Sequence, residues 1–235
     1  MLDTLVLFDI DGTLLTSAAA GREAIRRAFA EELDDLGCFD AVRFDGKTDP
    51  QIVRELYAAA GRSDRATDQA TQALLDRYLQ HLVVELAARR DRVRPLPGIL
   101  ALLSALEARS HVCVGLLTGN VVAGAELKLN ASGIGFDRFR LGAYGSDSAE
   151  RPMLPPIAVE RAMRLFGRMP SGAEVVIIGD TPADVTCGAA LGVRAVAVAT
   201  GAYDEAELRD AGADATFATL EATESVMDII LGVPR

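Results

Sequence analysis

An α/β fold, a doubly wound parallel sheet carrying one inserted block of helices, is what the sequence predicts, and three observations predict it. Short apolar runs at Thr4–Phe8, Val112–Leu117, Glu174–Ile178 and Ala195–Ala199 are continuous rather than alternating. Continuous runs suit strands covered on both faces. Helical patterns alternate with these runs, at Gly98–Ala108, Val121–Ser132, Pro155–Phe166, Ala183–Leu191, Glu205–Asp210 and Glu221–Leu231. Strand alternating with helix is the pattern of a parallel, Rossmann-like sheet. Between the first and second runs the alternation fails. Only helical patterns occur there, GREAIRRAFAEEL, DPQIVRELYAAA and ATQALLDRYLQHLVVELAAR, and they stop at RPLPG, where Pro95 and Pro97 cannot continue a helix. The expected division is a Rossmann-like core at 1–16 and 93–235 and a helical cap, or lid, at 17–92.

Each element serves a chain of 235 residues that is 50 % hydrophobic, enough for one core plus a modest insertion. A net charge of −10 excludes the basic footprint of a nucleic-acid binder. Anionic substrates then require locally gathered positive groups or a metal. Cys38, Cys113 and Cys187 are odd in number and far apart, so no disulfide framework is expected, and Cys113 and Cys187 read as buried thiols. The first residues lack a basic region and carry Asp3, Asp9 and Asp11, unlike a signal peptide. No apolar run spans a bilayer. A cytoplasmic monomer or homodimer without membrane or nucleic-acid partners is the expectation.

In an open α/β sheet ligands bind beyond the carboxyl ends of the strands. Asp9-Ile10-Asp11-Gly12-Thr13 follows the first run, Thr118-Gly119-Asn120 ends the second, and Gly179-Asp180-Thr181-Pro182-Ala183-Asp184 follows a later one. Any one of these is an ordinary turn or cap. Together they bring four carboxylates to one sheet edge, where they repel and raise one another's pKa unless a cation neutralises them. Oxygen ligands without His or Cys fit Mg²⁺.

DIDGT after an apolar strand, then TGN, then GDTPAD, resembles the haloacid dehalogenase superfamily of phosphohydrolases over nearly the whole chain. The helical block resembles the cap of phosphoglycolate phosphatases and related sugar-phosphate enzymes. The resemblance implies that Asp9 attacks phosphorus to give an aspartyl-phosphate. It implies Mg²⁺ bound by the Asp9 side chain, the Asp11 main-chain carbonyl and Asp180, with Asp184 holding a bound water or orienting the site. Asp11 would protonate the leaving alcohol and then activate water. The dehalogenases lack an acid at that position, so Asp11 favours phosphoester hydrolysis. Thr118 would hydrogen-bond a phosphoryl oxygen, with main-chain N–H groups near Gly119 and Asn120 at the start of the next helix.

The superfamily's usual third motif is a lysine before a helix. Lysine occurs here only at Lys47 and Lys128, neither in the expected region. We expect Arg151, ahead of Pro152, to take that place as a catalytic charge, with Arg161 the alternative. Lys47 and Thr48 are the specificity candidates of the cap loop. The competing reading of that stretch is an exposed turn, with Asp49 capping the next helix and Pro50 in its first turn. The expected activity is Mg²⁺-dependent hydrolysis of a small phosphorylated metabolite. A phosphomutase, or a non-catalytic phosphate-binding protein, is the alternative.

Overall fold

The computed structural model describes residues 2–33 and 36–232. The expected ranges also include residues 1, 34, 35 and 233–235, which lie outside the described residues. Six strands form one parallel sheet: β1 (Thr4–Phe8), β4 (Val112–Thr118), β5 (Gly142–Tyr144), β6 (Val175–Gly179), β7 (Arg194–Val198) and β8 (Ala215–Phe217). Their spatial order is β5-β4-β1-β6-β7-β8. β1 is therefore central. The chain first builds outward from it through β4 and β5, then returns to its other side with β6. That reversal opens a crevice at the carboxyl ends of β1, β4 and β6. A two-stranded antiparallel ribbon, β2 (Leu15–Thr16) with β3 (Arg94–Pro95), lies where the helical block leaves and rejoins the sheet.

Helices α4 (Ile99–Glu107), α5 (Val122–Ala131), α6 (Leu154–Phe166), α7 (Pro182–Cys187), α8 (Glu205–Asp210) and α9 (Thr223–Leu231) connect and flank the strands. Their starts and stops differ from the sequence expectation by a residue or two, as helix ends do. The expected helix Ala183–Leu191 ends at Cys187 and continues as a short 3₁₀ turn, Ala189–Leu191. Every residue of β1, β4 and β6 is buried, as continuous apolar strands require. Side chains alternate between two cores: Val6 and Phe8 enter one with α4 and α9, Leu5 and Leu7 the other with α6.

The helical block consists of α1 (Ala20–Ala30), α2 (Asp49–Ala59) and α3 (Asp68–Ala88). It packs around apolar residues of its own, including Ile25, Phe29, Leu56, Tyr57 and Leu82, and reaches α5 through Val121. Among the described residues no helix is long and apolar enough to cross a membrane. Cys113 and Cys187 are buried free thiols, and Cys38, also free, is partly exposed.

Candidate active site

β1 delivers Asp9 and Asp11 to the crevice. Asp9 continues the sheet ladder, its N–H donating to Ile178 O at 2.9 Å. Gly12 then takes a left-handed φ of 81° that turns the chain aside. β6 ends beside Asp180, which accepts from the Thr13 hydroxyl at 3.0 Å. Asp184 lies in the first turn of α7, whose N-cap is Thr181. One Asp184 oxygen accepts from the Thr181 N–H at 3.1 Å and hydroxyl at 2.7 Å. The other pairs with Arg151.

Asp9, Asp180 and Asp184 are buried, and each offers a carboxylate oxygen within 4.8 Å of the others. Arg151, buried ahead of α6, reaches Asp9 Oδ1 at 3.3 Å as well as Asp184. Three carboxylates thus face one guanidinium. Burial pushes the Asp9 pKa up to about 7, and the Asp184 charge adds to it against the pull of Arg151. Burial raises Asp180 well above the carboxylate range too, with Asp184 and Asp9 contributing. A buried, oxygen-only cluster short of positive charge fits a hard divalent cation.

Asp11 points into different company. Its Oδ1 accepts from the Ser17 hydroxyl at 2.7 Å, and its Oδ2 from Asn120 Nδ2 at 3.0 Å and Lys128 Nζ at 2.5 Å. Burial alone would raise the Asp11 pKa, but the Lys128 charge and these hydrogen bonds bring it below its ordinary value. The Asp11 carboxylate is therefore no part of the acid cluster. Only its main chain remains available for the metal role expected of it.

Lys128 corrects the sequence reading, which left it outside the site. It is the seventh residue of α5, nearly two turns in, and helical side chains tilt toward the helix N-terminus. The ammonium therefore returns to the strand end, where it also donates to Asn120 Oδ1 at 2.6 Å. The spacing held a signal: Ala125, Lys128 and Leu129 share the buried face of α5. A lysine inside an apolar stripe needs a counter-charge.

Thr118 Oγ1 accepts from Asn120 Nδ2 at 2.8 Å and its main-chain N–H at 3.3 Å. The Gly119 carbonyl accepts from the Asp49 N–H at 2.8 Å. Asp49 is buried and does not cap its own helix. Thr48 does so, accepting from the Gln51 N–H at 3.2 Å, while Asp49 Oδ2 accepts from Val121 N–H at 2.8 Å, at the start of α5. Burial pushes the Asp49 pKa up to about 6. Thr48 is fully buried and donates to Ala149 O at 2.7 Å. Its hydroxyl is spent on structure, so Thr48 does not face the cavity as a specificity residue would. Lys47 does line the cavity, with its ammonium paired to Glu55. Arg161 lies away from the acids, forked onto Asp147 at 2.7 and 2.6 Å.

A cavity of about 430 Å³ covers these groups, with Asp9, Asp11 and Arg151 on its floor and Arg22, Lys47 and Tyr78 of the helical block above. A model of the haloacid dehalogenase-like hydrolase family matches residues 4–192. The chain belongs to that family. It is an enzyme, a hydrolase with a phosphatase among its relatives. It is 32 % identical over 217 residues to the phosphoglycolate phosphatase of Rhodospirillum rubrum, covering 90 % of this chain and 86 % of that one. A hydrolase from Pseudomonas syringae shares its fold with a TM-score of 0.74 at 22 % identity, over 96 % of this chain and 98 % of that one. A β-phosphoglucomutase from Clostridium difficile matches with a TM-score of 0.74 at 17 % identity, over 99 % and 98 % of the two chains.

Proposed function

We propose that the chain is a Mg²⁺-dependent phosphatase that hydrolyses a small phosphorylated metabolite through an aspartyl-phosphate on Asp9. The observation that carries this reading is the division of labour at the end of β1. Asp9 stands in an acid cluster with Asp180, Asp184 and Arg151, and Asp11 is held apart by Ser17, Asn120 and Lys128. A nucleophile and a proton carrier need these separate surroundings.

Asp9 attacks phosphorus. The new bond is Asp9 Oδ–P, the bond that breaks joins phosphorus to the ester oxygen, and Asp11, ionised beside Lys128 at rest, relays to that oxygen a proton that enters with the substrate. Water then attacks the same phosphorus, Asp11 accepts its proton, and the Asp9–phosphorus bond breaks to release phosphate. The cation, held by Asp9, Asp180 and the Asp11 main-chain carbonyl with Asp184 in support, would supply charge neutralisation for the phosphoryl oxygens. Arg151 takes the part of the family's usual lysine by holding Asp9 and Asp184 in place. Thr118 and the loop Gly119-Asn120 receive the phosphoryl group. Residues 17–92 act as the cap that shields it from water, and Lys47 is the specificity candidate left in its loop.

The Rhodospirillum rubrum relative's name makes a short phosphorylated hydroxy acid the leading substrate class. A phosphomutase would use the same two aspartates, but the mutase neighbour, at 17 % identity, speaks for the fold alone. The free thiols Cys38, Cys113 and Cys187 support a reducing cytoplasm as its compartment. The test is phosphate release from a panel of phosphorylated metabolites with Mg²⁺, with Asp9→Asn as control. Isomerised product with little free phosphate would replace hydrolysis by the mutase reading. Turnover that survives EDTA would remove the cation from the scheme.

A further inference from the structure

We infer that Gly201, in the bend after β7, is a positioning residue for Asp180. With Gly12 it forms a cradle of bare main chain that holds the Asp180 carboxylate in the orientation a cation needs. The inference rests on the cation of the phosphatase reading and deepens it, because it names what keeps one of the cation's ligands still.

The register of the sheet brings the two residues together. β6 and β7 run side by side, with Gly179 opposite Ala197. Asp180 is the first residue past β6, and Gly201 lies just past the end of β7. A Cβ built on Gly201 would stand 1.8 Å from Asp180 Oδ2, 2.8 Å from its Cγ and 3.2 Å from its Cβ. Non-bonded heavy atoms settle at about 3.5–4.0 Å, so any side chain at this position has to push the carboxylate away.

Two ordinary reasons for a glycine are missing here. The φ of Gly201 is not positive, so its backbone does not call for glycine's freedom. The residue is exposed, so no apolar packing calls for a small side chain. Its chain neighbours aside, the three heavy atoms nearest the place of its missing Cβ all belong to Asp180.

Gly12 completes the cradle. A Cβ there would lie 2.3 Å from the same Oδ2 and 2.6 Å from Cγ. Two stretches of main chain therefore crowd Oδ2, while Oδ1 accepts from the Thr13 hydroxyl at 3.0 Å. The two stretches are tied to each other, because the Thr200 hydroxyl donates to the Gly12 carbonyl at 2.5 Å. Asp9 and Asp184 are positioned by Arg151, which forms no ion pair with Asp180 among the described residues. Asp180 faces two like charges, and a free carboxylate would turn away from them. The cradle prevents that turn. Mg²⁺ demands near-ideal octahedral geometry, and a ligand already set in place binds it at less cost.

The experiment titrates Mg²⁺ into the full chain without substrate and reads the rise in melting temperature, which follows binding to the folded state. The melting temperature of the wild type should climb to a plateau. Gly201→Ala should raise the Mg²⁺ concentration of half effect by about ten- to a hundredfold, the loss expected when support behind a metal ligand is removed. In EDTA its melting temperature should fall only as far as the displaced carboxylate costs the fold. The double variant Asp180→Ala/Gly201→Ala should then melt in EDTA no lower than Asp180→Ala alone, because the added methyl no longer meets a carboxylate. A half-effect concentration in Gly201→Ala within about twofold of the wild type overturns the role given to Gly201 and leaves the cation standing. So does a Gly201→Ala that unfolds and is not recovered by Asp180→Ala, since the obstacle would then lie elsewhere. A wild type whose melting temperature ignores Mg²⁺ overturns both the role of Gly201 and the cation.

Discussion

Asp9 and Asp11 are two residues apart and leave the same strand, yet their surroundings are opposite. Asp9 enters a group of three carboxylates answered by one arginine, and burial carries its pKa up to about 7. Asp11 is met by a lysine, an amide and a hydroxyl, and its pKa falls below the ordinary value. In a continuing strand they would share a face; they part company because β1 ends at Phe8 and the chain turns away through Gly12. One side is short of positive charge and fits a cation from solution. The other is completed by the chain itself. Two similar acids acquire different chemistry in this way, and the contrast can be broken at either side.

The largest expected effect is Asp9→Asn, which removes the proposed nucleophile and should lower turnover by about 10⁴-fold or more, read as phosphate release. Asp11→Asn keeps Asp9 and removes the proposed proton carrier. It should cost about 10²- to 10⁴-fold on alkyl phosphates, and less in kcat/KM on aryl phosphates, whose leaving groups need no proton. Equal losses on both ester types would erase the distinction between the two acids. Arg151→Ala should cost on the order of 10²-fold or more, because Asp9 and Asp184 lose the guanidinium that pairs with both, whereas Arg161→Ala, removed from the site, should stay within about twofold. Equal effects of the two arginine changes would refute the part given to Arg151.

The smallest effect is on stability. Asp9 and Asp49 have pKa values raised to about 7 and about 6, above those of the unfolded chain. The fold therefore binds protons more tightly than the unfolded chain does. In EDTA its stability should be greatest at the acid end of that window and fall as pH rises from about 4 to about 7. Mg²⁺ should raise the melting temperature more near pH 8 than near pH 5, since it competes with protons for Asp9. A cation effect independent of pH would detach the acid cluster from metal binding.

The sheet, the inserted helices and the acids were legible in the sequence because continuous apolar strands of five to seven residues and short motifs carry their own signatures. Gly142–Tyr144 and Ala215–Phe217, three residues each at the sheet edges, were not. Runs so short hold no periodicity, and their pairing is dictated by neighbouring strands. Arg151 was legible because Pro152 and a helix follow it. Lys128 was not, because its place in the site comes from the backward tilt of a helical side chain, which brings it to a loop that precedes it by more than two turns. Asp49 shows a related limit. Its place in a turn before a helix reads as a cap for that helix, and the helix it caps is α5, a long way along the chain.

That displaced cap has a mechanical consequence. The Asp49 N–H and carboxylate grip Gly119 and Val121, the Thr48 hydroxyl grips Ala149, and a Cβ on Gly119 would stand 2.0 Å from the Lys47 carbonyl. The inserted helices are thus bolted, by hydrogen bonds and close packing, to the loop at residues 119–121 that we propose receives the phosphoryl group. A swing of the helices away from the sheet has to pull a buried carboxylate off the positive end of α5 and return both to water. Opening of the cavity and the shape of the loop at residues 119–121 are consequently geared together, and neither can shift without loading the other.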